Sequence, residues 1–419
     1  MSKQSVKITS RWDRPAVATG KGETWLVVTI ETGKRKGSTT RQPVDVSFVI
    51  DRSGSMTGMP LELARRGVHE ALGLLDDRDT FSVVAYDHTI HEYAPRQSAS
   101  RTAVDRVRRS LAEMMPGGST DLFGGWQHGV RTLQQGIAAG PERRVTRTIL
   151  LTDGQANVGL VDPAGISHHV SAARRIGVTT STLGLGEGFD EELLTGMAEA
   201  GGGNFAYAHH AGELPAFFAR ELGEALSVVA SEASLTLTMP KGVRARLLNP
   251  FPTDLKGKAL TVTLGDLPAG LSLDLVFSVT TREKKEGPLP ALDLAARWVD
   301  LAKNTEARER VAIDPLMVIG PADFATMPRD EVASRAAAEM IAADAKRQAI
   351  ANLRRGNRVG ARDALLHAQT FAAAAPSARM GLVSEISDLM DVDPSSPDFA
   401  RLQRQIVNNE HRRSRGRDL

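Results

Sequence analysis

An acid and two hydroxyl residues stand at alternate positions in Asp51-Arg52-Ser53-Gly54-Ser55, immediately after the apolar run Val46-Ser47-Phe48-Val49-Ile50. Gly117-Gly118-Ser119-Thr120-Asp121 offers another hydroxyl, and the run Thr148-Ile149-Leu150-Leu151-Thr152 leads into a second acid, Asp153. Oxygen donors of this kind suit a hard divalent cation, since Mg2+ takes about six oxygens with only one or two protein carboxylates among them. Asp51 and Asp153 are the candidate carboxylate donors, and Ser53, Ser55 and Thr120 the candidate hydroxyl donors. In a turn, this spacing of the acid and the two serines lets their side chains converge on one point, while Gly54 permits the tight path. Few carboxylates and several hydroxyls favour Mg2+, with Mn2+ and Ca2+ as the alternatives. Neutral hydroxyls leave such a cation short of negative charge, so that a carboxylate from outside completes its shell.

Donors arranged in this way must be delivered by strand ends. From residue 44 to about 229, short apolar runs at 44–50, 80–86, 145–151, 178–185 and 204–207 alternate with amphipathic stretches at about 60–75, 101–115, 122–138, 163–176, 190–200 and 215–230. That alternation predicts a mostly parallel sheet with helices on both faces, whose ligands bind beyond the carboxyl ends of the strands. Asp87-His88, followed by Ile90-His91-Glu92-Tyr93, predicts a hairpin that adds an antiparallel edge strand. Strand-like alternation also marks residues 5–42 and 233–313, and two strands cannot bury a core by themselves. The economical architecture therefore inserts the α/β domain between strands of a β-sandwich. Beyond Pro315 the chain turns alanine-rich, with an apolar face along 330–353 and a second helix over 359–374. Shorter helices at 379–391 and 398–411 and an arginine-rich tail follow. The expected layout is 1–42 and 231–320 for the sandwich, 43–230 for the α/β domain, 321–412 for a carboxyl-terminal α-helical region and 413–419 for the basic tail.

Composition narrows the function classes. The chain of 419 residues is too long for one ordinary core. Its 52 basic and 50 acidic residues nearly cancel, so no global field draws it to nucleic acid or anionic lipid. With no cysteine, thiolate metal sites, thiol nucleophiles and disulfides are all excluded. The amino-terminal residues lack the apolar core of a signal peptide, and no run approaches the roughly 18 apolar residues of a membrane span. The expectation is a soluble, cytoplasmic protein whose partner is chosen by a local site.

Asp51-Arg52-Ser53-Gly54-Ser55, with Thr120 and Asp153 at later strand ends, resembles the metal-ion-dependent adhesion site (MIDAS) of von Willebrand factor type A (VWA) domains, with all five positions of the motif filled. The likeness covers about residues 43–230; segments 183–186, 189–194, 198–203 and 205–207 are similar to that domain's last strand-helix-strand unit. The resemblance implies a doubly wound, Rossmann-like fold. It also implies a cation held by Asp51, Ser53, Ser55 and Thr120, directly or through water, with Asp153 acting through water. The implied ligand is a protein bearing an exposed Asp or Glu. The wider layout is similar to bacterial soluble VWA proteins, including the calcium-activated-chloride-channel-like type. Such proteins often work beside an operon partner such as an ATPase, kinase or phosphatase.

Other chemistries fit less of the pattern. A hydrolase built on Ser53 or Ser55 would need a base and the nucleophile-elbow spacing, which is missing around both. A phosphotransferase of the haloacid dehalogenase type would want a second acid two residues beyond Asp51, where Ser53 stands. A metal-dependent hydrolase or phosphotransferase at the same site is therefore the second reading. The adjacent pairs His168-His169 and His209-His210 face different ways along a helix or strand and read as surface residues.

Overall fold

The structure is a computed structural model that describes residues 5–20, 22–33, 41–138, 144–153, 156–186 and 188–374. The helices expected at 379–391 and 398–411 and the basic tail lie outside the described residues. A six-stranded sheet runs in the order Ile90–Ser98, Thr80–Tyr86, Val44–Asp51, Val145–Thr152, Val178–Leu185, Gly202–Ala208. All its neighbours pair in parallel except the first two strands, which form the expected hairpin.

Every residue of the central strand Val44–Asp51 is buried, as a strand covered on both faces requires. Val46, Phe48 and Ile50 pack into one core with the helices Met59–Leu72, Arg101–Ala112 and Leu214–Ser227. Val49, pointing the other way, packs among Leu122–Ala138, Pro163–Arg175 and Glu191–Gly201. Local chemistry starts these helices. The side chain of Asp162 accepts the backbone N–H of Gly165 and that of Asp190 accepts the N–H of Leu193, each satisfying an orphan donor of a first turn.

The last of the six helices ends at Ser227, and Val228–Thr238 starts a sandwich strand at once, inside the range 43–230 expected for the α/β domain. The β-branched pair Val228-Val229 favours the extended chain, and Val228 is paired with Pro268 of the strand Ala259–Pro268. This strand lies in a five-stranded sheet ordered Thr253–Lys256, Ala259–Pro268, Val228–Thr238, Asp293–Asp300, Thr305–Val311. The facing sheet is ordered Val6–Trp12, Gly22–Thr32, Ser272–Thr281, Val243–Leu247. Gly22–Thr32 pairs with Ser272–Thr281 along its length, Val27 opposite Val276, so the amino-terminal strands join their sheet across the inserted domain.

One strand serves two cores. Leu26, Val28 and Ile30 face the sandwich interior, whereas Trp25 and Val27 face the helices Glu331–Arg354 and Arg358–Ala374 on the outer side. Trp25 meets Phe371 at 4.4 Å between ring centroids, and the Arg329 guanidinium lies 4.6 Å from the Phe371 ring while pairing with Asp13 at 2.8 Å. The helical pair is thus a third layer on the sandwich.

The sequence pattern alone did not disclose the buried ion pair of the α/β domain. Arg147, on a fully buried strand, donates to the Glu221 carboxylate and to the Glu221 carbonyl, and both side chains are almost wholly out of solvent. Asn204 donates to the same carboxylate at 2.7 Å. The pair ties the final helix to the strand that ends at the site. Glu221→Ala strands the guanidinium in the core and is expected to cost about 3–5 kcal/mol by urea denaturation, whereas Arg147→Met with Glu221→Leu recovers most of that loss.

Candidate functional site

Two loops, after Asp51 and after Thr152, leave the carboxyl end of the parallel sheet, and a third, which carries Thr120 between the helices Arg101–Ala112 and Leu122–Ala138 and not at the strand end expected for it, is tied to both by backbone hydrogen bonds. Gly54 N–H donates to the Gly118 carbonyl at 2.8 Å, and Gly117 N–H to the Arg52 carbonyl at 2.6 Å. Asn157 binds the Thr120 backbone twice, its side-chain oxygen accepting from Thr120 N–H at 2.7 Å and its own N–H donating to the Thr120 carbonyl at 3.1 Å. Gly117 is required by close approach, since a Cβ there would lie 1.8 Å from Oδ2 of the buried, held Asp87, whereas one on Gly118 would lie 2.6 Å from Nδ1 of the exposed His88 side chain, which can move aside. Asp87 is itself held by Arg52 at 2.8 Å and by the Thr89 hydroxyl at 2.7 Å.

Inside this frame, Asp51 has no exposed surface. Its Oδ1 accepts the Ser53 N–H at 2.8 Å, and its Oδ2 accepts the Thr152 hydroxyl at 2.6 Å. Ser53 Oγ lies 3.1 Å from Ser55 Oγ, and Ser55 donates to Asp153 Oδ1 at 3.0 Å. Four of the five expected donors therefore form one hydrogen-bonded chain. Thr120, buried at 3% exposure, stands on the loop pinned to both of the others, but its hydroxyl is not part of that chain. The paired histidines at 168–169 and 209–210 are exposed.

Burial pushes the Asp51 carboxyl above its ordinary range, against the hydrogen bonds from Thr152 and Ser53 that hold it down. Asp153 is pushed up to about 6 by burial and by the neighbouring Asp51, with Ser55 opposing the shift. Two acids held this close, with both titrations raised, form a pair whose repulsion a divalent cation would relieve. A second observation supports the same fit. Tyr86 is fully buried in register beside Asp51, and its hydroxyl faces the Asp51 carboxylate and the Thr152 hydroxyl without forming a hydrogen bond of good geometry. A buried donor so close to a carboxylate has a natural role in holding that carboxylate, or a water, once a cation is present. Among the described residues no group of three or more His, Cys, Asp and Glu side chains is placed to hold a metal. The oxygen set of two carboxylates and three hydroxyls remains, and it is suited to a hard cation. Tyr86, Thr152, Asn157 and Asp87 were missed by sequence reasoning. The Asp51–Tyr86 register was the only signal for Tyr86, and it exists only in the folded sheet.

With this geometry in view, residues 45–220 match the family model of the von Willebrand factor type A domain. The chain carries a VWA domain. It is 28% identical over 256 residues to the uncharacterized protein YfbK of Escherichia coli strain K12, covering 57% of this chain and 42% of that protein. It is 35% identical over 168 residues to the pig (Sus scrofa) inter-alpha-trypsin inhibitor heavy chain H4, covering 38% of this chain and 18% of that one. The chain spans less than half the length of the first curated relatives it matches. A solved structure described as von Willebrand factor type A from Catenulispora acidiphila aligns at a TM-score of 0.70 with 18% identity, covering 94% of this chain and 92% of that one. The likeness in fold therefore extends over the VWA domain, the sandwich and the helical layer together.

Three outcomes test the donor set. In the metal-free protein the folded state holds a proton on Asp153 that the unfolded chain releases near 3.8, so this group's contribution to stability is largest below that value and is lost as pH rises through about 6. Asp153→Asn should remove that slope from denaturation curves taken between pH 4 and 7. Because a cation bound by Asp153 would displace the same proton, Mg2+ affinity measured by calorimetry should fall roughly tenfold from pH 7 to pH 5 in the wild type. Tyr86→Phe should change the metal-free Tm little, since the hydroxyl it removes makes no hydrogen bond of good geometry, while weakening Mg2+ binding by about tenfold.

Proposed function

We propose that the VWA domain is a metal-ion-dependent protein-interaction module whose cation, Mg2+ in preference to Mn2+ or Ca2+, is held at a MIDAS by Asp51, Ser53, Ser55, Thr120 and Asp153. The observation that carries this reading is the hydrogen-bonded run from Thr152 through Asp51, Ser53 and Ser55 to Asp153 at the carboxyl end of the sheet. Two negative charges offset a divalent cation, and the hydroxyls add donors without adding charge, which leaves the bound ion electrophilic toward one more anionic oxygen. An Asp or Glu side chain of a partner protein supplies that oxygen. Within the chain, Thr152 and the Ser53 N–H fix the direction of Asp51, and the Asn157 clamp fixes the Thr120 loop beside it.

The same reading makes the chain a binding partner rather than an enzyme, working in the cytoplasm with a protein such as an ATPase, kinase or phosphatase encoded beside it. No helix among the described residues is long and apolar enough to cross a membrane, and we assign no channel role to the chloride-channel-like layout. The sandwich and helical layer serve as the base that carries the domain.

Affinity capture from the native cell, with wild type and Asp51→Ala each in Mg2+ and in EDTA, tests the proposal. A protein present only with the wild type in Mg2+ is the expected outcome, with unchanged circular dichroism of the variant showing that the fold survives. The same captured set in all four samples would overturn it. Turnover of a phosphoester or peptide that depends on Asp51 would establish the enzymatic reading in its place.

A further inference from the structure

The five-stranded sheet of the sandwich turns one face outward. Leu235 and Leu237 of Val228–Thr238, and Leu294 and Ala296 of Asp293–Asp300, fill the sandwich interior, so Ser234, Thr236, Ala295 and Arg297, which alternate with them, stand on the opposite face. Register sets Arg297 opposite Ser234 on one neighbour and opposite Arg308 on the other, with Arg310 further along the same face, opposite Ala295. Two guanidinium groups directly across a strand pair repel. The carboxylates in reach offset them only in part. Glu306 accepts from Arg308 Nε at 2.8 Å and Asp293 lies 3.7 Å from Arg310 Nε, but both pairs are exposed, and Arg297 makes no ion pair among the described residues. Each of these contacts uses Nε and not the forked Nη pair, the end that grips an oxyanion.

These three arginines line a hollow of about 470 Å³ together with Ser234 and Thr236. Ser234 and Arg297 also border a second hollow of about 470 Å³, between the sandwich and the α/β domain, whose walls carry the hydroxyls of Thr179, Thr261 and Thr263 and the carboxylates of Glu232 and Asp266. Strand Val228–Thr238 is distorted just before the shared Ser234. It slips register against both neighbours between Ala230 and Ser234, and Glu232 takes a φ of 53°, a left-handed conformation that a side chain with a Cβ adopts at a cost. Strain of this kind gathers at binding sites. We propose that Arg297, Arg308 and Arg310, with Ser234, bind the phosphoryl group of a small phosphate monoester whose hydroxylated carbon skeleton lies in the adjoining interdomain hollow. A phosphoryl group presents three terminal oxygens to three guanidinium forks, where a carboxylate presents two. Hydroxyls and carboxylates in the second hollow exchange hydrogen bonds with the hydroxyls of the skeleton. Among the described residues no aromatic side chain lines either hollow, so nothing there stacks on a nucleobase. The volume suits a small molecule.

Calorimetric titration of the full chain tests this, in EDTA so that the Asp51 site takes no part. The probes are inorganic phosphate, glycerol 3-phosphate, ribose 5-phosphate and glucose 6-phosphate, with glycerol, ribose and glucose as their unphosphorylated counterparts. At least one ester is expected to bind about tenfold more tightly than inorganic phosphate, and the unphosphorylated compounds not to bind. Arg297→Gln with Arg308→Gln should weaken that ester by about tenfold or more while changing the Tm little, since the pair it removes is exposed and self-repelling. Arg310→Gln, which leaves the Arg297–Arg308 pair in place, should weaken it to a smaller extent and gives the same reading if the double variant does not fold. Esters that bind no more tightly than inorganic phosphate, or no binding of any phosphate compound at millimolar concentration, would overturn the proposal. So would unchanged ester affinity in the folded variants, or a phosphoserine peptide that binds more tightly than every ester.

Discussion

A carboxylate with no exposed surface, at the end of the central strand of a sheet covered on both faces, is the constraint on which the rest depends. Burying Asp51 costs solvation that a backbone N–H and one hydroxyl only partly return, which is why its carboxyl titrates above the ordinary range. Everything around it holds that position. A slip of one residue along Val44–Asp51 would turn Asp51 to the opposite face and expose the apolar set that now fills the core. The six-strand order places Tyr86 on one side of the acid and Thr152 on the other, and the glycine loop packs against the held Asp87 because Gly117 has no Cβ.

The remainder of the chain holds this end of the molecule free. The α/β domain is entered at Val44 and left at Ser227, and both points lie at the end of the sheet away from the site. There the Gln42 side chain donates to the Leu301 carbonyl, and Leu301 N–H donates to the Val229 carbonyl, joining the domain's base to the sandwich. Arg174 adds two donations, to the carbonyls of Thr263 and Leu264. On its far side the sandwich is covered by the helices packed on Trp25 and Val27. Among the described residues the site loops are therefore the surface left open at the far end, with the sandwich behind them.

The buried Arg147–Glu221 pair joins these two levels. It lies near the start of the strand that ends next to Asp153 and clamps the helix that runs straight into the sandwich strand at Val228. A buried pair of this kind adds little net stability over a well-packed apolar alternative, because desolvation consumes most of the attraction. Its effect is to admit one placement of the helix against the sheet.

Much of the protein was legible in its sequence because the signals are local and periodic. Strand and helix alternation across 44–229 named the fold class, and a single charged turn after an apolar run located the candidate donors Asp51, Ser53 and Ser55. The interruption of sandwich strands by the domain was deducible as well, since two strands cannot make a core. Register and close approach were beyond it. The position of Tyr86 beside Asp51, the Asn157 clamp on Thr120, the inward ties of Asp87 and the burial of Arg147 against Glu221 all join residues between 35 and 74 positions apart. Each depends on how strands align or how one helix seats, and no local pattern encodes those distances. The sequence by itself named the candidate donors. The tertiary structure decided how their charges are balanced, because solvation and neighbouring charge are set only when the chain has closed around them.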